Sequence, residues 1–115
     1  MRQRLDDCLF CKIENNEIPS EKVYEDEDVY VIKDIAPKAD VHLLVIPRQH
    51  IVSLNDLLPD EQTLMGKIML LLPKLAKQQG LNDGFRTIIN TGEGGGQEVL
   101  HLHVHLLGGN IPQFG

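Results

Sequence analysis

The sequence lacks any apolar run long enough to cross a membrane. Its longest run, Ile68 to Leu72, ends at a proline and is far shorter than the roughly 20 residues of a spanning helix. The segment Met1 to Asp7 carries basic residues with no apolar run behind them, so we expect no signal peptide. Cysteine is also scarce, with two residues. In a chain without a signal this favours a reducing cytoplasm over a disulfide framework, and we expect a cytoplasmic protein.

An excess of positive charge is missing as well. Eleven basic residues face 17 acidic ones, for a net charge of −6. This balance argues against non-specific binding to nucleic acid or to an anionic membrane, but a small anionic ligand needs only local donors. Internal repeats, linkers and low-complexity segments are lacking too. With 115 residues and an ordinary charged fraction of 24%, we expect one domain spanning residues 1–115.

The segment from Gly96 to Leu107 contains three of the five histidines, His101, His103 and His105, at alternate positions with apolar residues between them. Alternation of this kind is typical of a half-buried β-strand, whose successive side chains point to opposite faces. We therefore predict that the imidazoles line one face at intervals of about 6.6 Å, from a rise of about 3.3 Å per residue. The apolar face should pack on the core.

From the residues alone, this row of imidazoles has three interpretations: a solvated strand face, a metal site or a catalytic row. Cys8 and Cys11 leave a similar choice. A Cys-x-x-Cys pair is a redox motif in a βαβ setting, which we do not find here, or half of a zinc site, or a chance pairing. His42, in an apolar strand, is a candidate core histidine, and Asp34 is a candidate turn residue.

The pattern of the remaining chain predicts an α+β fold, with one antiparallel sheet of about five strands covered by one long and one short helix. β-Branched and aromatic residues predict a hairpin and two further strands before the histidine strand, over 22–25, 29–34, 42–46 and 86–90. Residues 53–58 form a linker or a short helical turn. The glycine-rich segment 92–96 is a hairpin connection or a loop whose amides approach a phosphate.

The main helix should open at Pro59 and end near Gly80. Pro73 lies inside it and should kink it, because proline removes a backbone donor. Apolar residues cover so much of this helix that we expect a sheet on one side and a second subunit on the other.

The motif His101-Leu102-His103-Val104-His105-Leu106-Leu107 resembles the His-x-His-x-His-x-x signature of the histidine triad family. Further blocks resemble the family's other motifs in their order and spacing, namely Asp34 to Pro37, His42 to Pro47, Ile89 to Gly92 and Gly95 to Gln97. The match runs from Cys8 to Asn110. Within the family, the chain is similar to the Hint-type nucleoside phosphoramidases.

This resemblance implies a hydrolase that cleaves the P–N bond of an adenosine 5′-phosphoramidate. His103 would attack phosphorus as a neutral imidazole, and the nucleotidyl-histidine intermediate would then release AMP. His105 would donate to the phosphoryl oxygens or to the amine, while His101 and His42 would hold the row in the right tautomers. No cofactor is implied for the chemistry. The rival interpretations are a dinucleoside polyphosphate hydrolase of a sister branch and a non-catalytic nucleotide-binding module.

The resemblance also implies a purine nucleotide site. Asp34 would accept the ribose hydroxyls. The residues expected to form an apolar slot for the purine are Phe10, Ile13, Ile32 and Ile35. Those expected at the phosphate end are Asn90, Gly96 and Gln97. Glu98 departs from many relatives, which carry a hydroxyl residue there, and its carboxylate suits a cationic leaving group better than a phosphate. The tail 110–115 differs from that of eukaryotic relatives, in which the tail helps to set substrate preference.

Some bacterial relatives that carry both cysteines hold a structural zinc at four matching positions, which are here Cys8, Cys11, His50 and His101. Such an ion would pin the N-terminal segment against the sheet and would affect stability more than chemistry. The family's homodimer joins two sheets edge to edge. The expected partners are therefore a small purine nucleotide and a second copy of the chain, with no nucleic acid and no membrane.

Overall fold

The fold is built on one antiparallel five-stranded sheet, as the sequence predicts. The computed structural model describes residues 7–112; most of the N-terminal segment 1–7 and the last three residues of the tail 110–115 lie outside the described residues. The strands are β1 (Lys22–Glu25), β2 (Val29–Lys33), β3 (Val41–Pro47), β4 (Arg86–Ile88) and β5 (Val104–Gly108). They are arranged in the order β1-β2-β3-β5-β4, every neighbouring pair antiparallel.

The two faces of the sheet carry different layers. The long helix α2 (Gln62–Gln78) buries Ile68, Leu71, Leu72, Leu75 and Ala76 against one face. The short helix α1 (Leu9–Glu14) packs on the other. Because side chains alternate along a strand, Leu43 and Val45 of β3 face α2, whereas Leu44 faces the layer of α1. His42 and His105 share this second face, since β3 and β5 pair Leu44 with His105.

Helix α2 follows a single 3₁₀ turn, Pro59–Glu61, and continues through Pro73. Gly80 lies just past its end with φ 80°, a left-handed conformation that glycine adopts without steric cost. A second 3₁₀ turn, Leu54–Asp56, occupies the segment predicted as a linker or short helical turn. Within residues 7–112, no helix is long and apolar enough to cross a membrane.

The histidine strand is shorter than predicted. Strand β5 begins at Val104, so His101 and His103 precede it and do not lie in a regular row with His105. The Leu102 amide donates to the carbonyl of Ile51, which lies outside the strands, at 2.6 Å, and the His103 side chain lies with Nδ1 2.7 Å from the His101 carbonyl. The prediction for the apolar positions is confirmed, because Leu102, Val104 and Leu106 are fully buried.

Candidate active site

His103 is held in one tautomer by the backbone beside it. Its Nδ1 lies 2.7 Å from the carbonyl of His101. A carbonyl oxygen can only accept, so Nδ1 carries the proton and the lone pair is on Nε2. No described residue hydrogen bonds to this Nε2. The ring is 8% exposed and packs edge-on against Phe10, with centroids 5.1 Å apart. The arrangement orients Nε2 of the imidazole, as nucleophilic attack by this nitrogen requires.

His105 and His42 form a second, directly bonded pair. The Lys38 amide donates to His42 Nδ1 at 3.1 Å, so His42 carries its proton on Nε2. That proton is donated to His105 Nδ1 at 2.9 Å, which leaves the proton of His105 on its Nε2. Burial, together with the neighbouring His103 and His42, lowers the pKa of His105 to about 4. Near pH 7 His105 is therefore a neutral N–H donor, 5.0 Å between ring centroids from His103.

Asp34 lies at the end of this hydrogen-bonded chain. Its Oδ2 is 3.5 Å from His42 Nε2, and its Oδ1 accepts from the Ala36 amide at 2.8 Å. The second contact is an Asx turn, so the turn interpretation of Asp34 describes its local structure. A cavity of about 170 Å³ also lies beside Asp34 and His42, but Leu43 and Gln79 are among its walls, so it opens towards the α2 side of the sheet.

Four of the predicted residues converge on one point at the start of α1. The metal-ligating atoms of Cys8, Cys11, His50 and His101 all lie within 4.8 Å of one another. Cys8 Sγ is 3.3 Å from His101 Nδ1, and Cys11 Sγ is 3.4 Å from His50 Nδ1. His101 Nε2 lies 2.8 Å from the Pro47 carbonyl and must donate to it, which directs the lone pair of Nδ1 towards the thiols. The donor set and this orientation suit a tetrahedral zinc ion.

A second cluster, Asp34, His42 and His105, is equally compact, with its ligating atoms within 4.8 Å. The hydrogen bonds distinguish it from the first. The Lys38 amide occupies the lone pair of His42 Nδ1, so His42 Nε2 keeps its proton and has no lone pair for a metal. This cluster is therefore suited to proton transfer.

The predicted tautomer-holding role of His101 falls to its backbone. Its ring faces the cysteines and the Pro47 carbonyl, and only its backbone oxygen holds the tautomer of His103. His42 holds the tautomer of His105 and not that of His103. The supporting residues that the sequence did not reveal act largely through backbone atoms, the Pro47 carbonyl and the Lys38 amide, which leave no side-chain signal.

The predicted purine slot is brought together only in part. Phe10, Ile13 and Ile32 pack in one buried cluster on the α1 side of the sheet. Ile35 is 98% exposed and does not join them, because the turn closed by Asp34 and Ala36 projects it outward. The hydroxyl of buried Tyr30 also donates to the Phe10 carbonyl at 2.5 Å, which fixes α1 on the sheet.

Three amides of the glycine-rich loop are already paired within the loop. The amides of Gly95, Gly96 and Gln97 donate to carbonyls within the loop, and the Asn90 side chain donates to the Gly95 carbonyl. The Gln97 side chain accepts from the Gly92 amide and donates to the Val52 and Val99 carbonyls. Gln97 therefore braces the loop, and its amide has no spare donor for a phosphate. The exposed Glu98 lines a separate cavity of about 460 Å³.

Comparison with known proteins places this geometry in context. Residues 7–113 match the family model described as the scavenger mRNA decapping enzyme C-term binding family. The chain is 55% identical over 104 residues to protein HitA of Neisseria gonorrhoeae, covering 90% of this chain and 97% of that protein. It is 43% identical over 105 residues to the purine nucleoside phosphoramidase of Escherichia coli, covering 90% and 88%.

Solved structures agree with the fold. A HIT family hydrolase of Legionella pneumophila superposes with a TM-score of 0.88 at 47% identity, over 90% of this chain and 94% of that one. A zinc-bound histidine triad family protein of Mycobacterium smegmatis superposes with a TM-score of 0.76 at 36% identity, over 88% and 73%.

Proposed function

The chain belongs to the histidine triad family and is a hydrolase, and we propose that it cleaves the P–N bond of adenosine 5′-phosphoramidates to give AMP and an amine. The observation that carries this proposal is the fixed tautomer of His103, whose Nδ1 donates to the His101 carbonyl. The relative named purine nucleoside phosphoramidase, at 43% identity, supports the substrate class.

In the first step His103 Nε2 attacks the α-phosphorus. The new N–P bond forms as the P–N bond to the amine breaks, and the leaving nitrogen takes a proton from water. His105 is the adjacent hydrogen-bond donor, and its Nε2–H stabilises the charge that develops on the phosphoryl oxygens. Its other nitrogen accepts from His42 Nε2–H, and Asp34, 3.5 Å from His42 Nε2, favours retention of that proton. In the second step water attacks the nucleotidyl-histidine and releases AMP.

The nucleotide is proposed to lie across the face of the sheet that carries α1. Asp34 accepts the ribose hydroxyls with the carboxylate oxygen that faces His42. The purine lies against the exposed Ile35 and the margin of the cluster formed by Phe10, Ile13 and Ile32. Asn90, Gly96 and Glu98 lie nearer the phosphate end and the leaving group, with Gln97 bracing their loop. None of these contacts requires a basic patch, consistent with the acidic net charge of the chain.

A structural zinc ion held by Cys8, Cys11, His50 and His101 is the second part of the proposal. The support is the convergence of four ligating atoms within 4.8 Å and the zinc-bound relative. The ion would join α1 to the segments after β3 and before β5. Its ligands need reduced cysteines, which agrees with the expected cytoplasmic location. Elemental analysis of untagged protein should find about one zinc per chain, and Cys8→Ser with Cys11→Ser should abolish it. Fewer than about 0.2 zinc per chain in the parent would contradict the site.

The chain is also proposed to form a homodimer. Strand β4 is at an edge of the sheet. Phe85, which precedes it, is 38% exposed, and Met69 and Leu70 of α2 are 42% and 71% exposed. Pairing of two β4 edges, with this apolar surface in contact, would satisfy the open edge and bury the exposed side chains.

The test of the activity is an acid quench of turnover with adenosine 5′-phosphoramidate, followed by intact mass and peptide mapping. The expected result is an AMP adduct on His103, lost in His103→Ala together with turnover. Glu27→Gln, in the exposed β1–β2 turn, is the control and should retain both. An adduct on another histidine would refute the assignment. Binding of AMP without turnover would instead support a non-catalytic module, and preference for diadenosine polyphosphates would support the sister branch.

A further inference from the structure

We propose that Cys8 and Cys11 form an oxidation site, in which a peroxide that enters through the cavity beside Glu98 converts the pair to a disulfide and releases the metal. This inference goes beyond the hydrolase activity; its metal-release step rests on the proposed zinc site, whereas disulfide formation is measured separately by mass. It rests on the shape of the cavity, the unequal exposure of the two sulfurs and their separation.

The cavity beside Glu98 leads directly to the cysteine cluster. It has a volume of about 460 Å³ and is open to solvent. Its walls include Cys8 and His50, two of the four candidate metal ligands, and the remaining lining residues are Asp7, Leu9, Val52, Glu98, Val99 and Leu100. A molecule the size of hydrogen peroxide is far smaller than this volume. The cavity therefore gives a small oxidant a route to Cys8 Sγ.

The two cysteines differ in access. Cys8 is partly exposed and lines the cavity, whereas Cys11 is fully buried. Oxidation of a cysteine follows its exposure, so Cys8 is the thiol that meets the oxidant and Cys11 is the thiol that resolves the product. No disulfide joins the two residues in the structure.

The pair is also close enough to be joined. Cys8 is the N-cap of α1 and its sulfur accepts from the Cys11 amide at 3.5 Å, while the two sulfurs are within 4.8 Å. Helical geometry puts residues three apart about 5 Å from Cα to Cα, and disulfides span roughly 4.4–6.8 Å. Rotation of the two side chains therefore brings the sulfurs to bonding distance without unfolding α1.

The chemistry balances with peroxide as the oxidant. The Cys8 thiolate attacks one peroxide oxygen, the O–O bond breaks, and Cys8 becomes a sulfenic acid with release of hydroxide. The Cys11 thiolate then attacks the Cys8 sulfur and expels a second hydroxide as the S–S bond forms. Two thiolates lose two electrons and one peroxide gains them. A disulfide has no thiolate for a metal, so only His50 and His101 remain as ligands and a zinc ion is released.

Oxidation of the cysteine pair should also affect His103, because His101 contacts both. Its ring contacts both cysteine sulfurs, at 3.3 and 3.7 Å, and its carbonyl holds the Nδ1 proton of His103. Oxidation of the pair therefore changes the surroundings of the residue that orients the nucleophile.

The experiment treats purified, reduced protein with graded hydrogen peroxide. Intact mass follows the loss of two hydrogen atoms, a chromogenic chelator follows zinc, and dithiothreitol should reverse the mass change. We expect one intramolecular disulfide per chain, with zinc released in step. Cys11→Ser should stop at a sulfenic acid that dimedone traps, and Cys8→Ser should leave Cys11 unmodified. A brief iodoacetamide pulse on the parent chain should label Cys8 first, which tests the order without any substitution.

A matched pair of variants tests the route. Leu100→Trp adds bulk to the cavity wall, at a side chain that is 59% exposed, and should slow disulfide formation severalfold. Leu58→Trp, at a leucine that is 52% exposed and away from the cavity, should leave the rate unchanged. Equal rates in the two variants would overturn the entry route. Equal oxidation of the two single-cysteine variants, a mass gain without a disulfide, or zinc retained after oxidation would overturn the site. These readouts do not use turnover, so they are independent of the proposed hydrolase activity.

Discussion

Replacement of His105 by asparagine should flatten the dependence of stability on pH. His105 Nδ1 accepts the Nε2 proton of His42 at 2.9 Å, and the side-chain oxygen of asparagine can take over that role without titrating. The substitution therefore removes the ionisable group and keeps an acceptor for its partner. His105→Asn and the parent share every other titrating side chain, including the candidate metal ligands.

The direction in which stability changes with pH follows from the lowered pKa of His105. Burial first, and then the positive charge that His103 and His42 can carry, lowers the pKa of His105 to about 4, against about 6.5 in the unfolded chain. As the pH falls below 6.5 the unfolded state takes up the proton first, so folding is penalised progressively down to about pH 4 and is constant below it. Asp26 stays ionised through this window, because hydrogen bonds from Asp28, Val29 and Tyr24 outweigh its burial and lower its pKa to about 2.

Integrating the two titrations to about pH 5 gives a penalty of about 2 kcal/mol. His105 is partly exposed, so solvent screening reduces this to about 1–2 kcal/mol. This loss of stability can be measured by urea denaturation of the parent and of His105→Asn at about pH 7 and about pH 5. The parent should lose about 1–2 kcal/mol more than the variant over this interval. Parallel losses in the two proteins would show that His105 titrates normally in the folded chain and would refute the reasoning.

Four further substitutions test individual contacts. Asp34→Asn should weaken binding of AMP by about 1.5–3 kcal/mol more than that of its 2′,3′-dideoxy analogue, and equal losses by calorimetry would contradict the ribose contact. Gln97→Ala leaves the Gly92 amide and the Val52 carbonyl without their partner and should cost about 1–3 kcal/mol in urea denaturation. Tyr30→Phe removes the bond to the Phe10 carbonyl and should cost a similar amount by the same measurement. Leu70→Glu should convert the dimer to monomers in light scattering, and an unchanged mass would place the interface elsewhere.

The sequence predicted the strands and helices well where one physical signal dominated. The apolar face of α2 and the β-branched runs of β2 and β3 report burial directly, because side-chain spacing follows the period of the element. The alternating histidines predicted a longer strand than the structure contains, because two different properties follow from alternation and only one of them can be predicted from it. Alternation predicts which side chains are buried, and Leu102, Val104 and Leu106 are, but it carries no information on backbone pairing, which begins only at Val104.

In the candidate site, the sequence likewise predicted some features and not others. Residue types and the family resemblance predicted that Cys8, Cys11, His50 and His101 would meet, and the structure brings them together. The task of each imidazole was not predictable, because it depends on backbone groups. Gln97 is a further example: an amide side chain can reach a phosphate or brace a loop, and only the positions of the Gly92, Val52 and Val99 backbone atoms decide between them.

The histidines of this site differ in whether the ring nitrogen that faces the site carries a lone pair or a proton. The hydrogen-bond partner of the other ring nitrogen decides which. An imidazole that donates one N–H to a carbonyl presents its other nitrogen as a lone pair, and one that accepts from an amide presents an N–H. His101 and His103 both donate to carbonyls, of Pro47 and of His101 itself. The lone pair of His101 therefore faces two thiols, and that of His103, on Nε2, has no hydrogen-bond partner among the described residues. His42 accepts from the Lys38 amide and donates its Nε2–H to His105 Nδ1. His105 therefore presents an N–H, where His101 and His103 present lone pairs. The backbone contacts thus prepare one residue type for three different proposed roles, those of a metal ligand, a nucleophile and a hydrogen-bond donor.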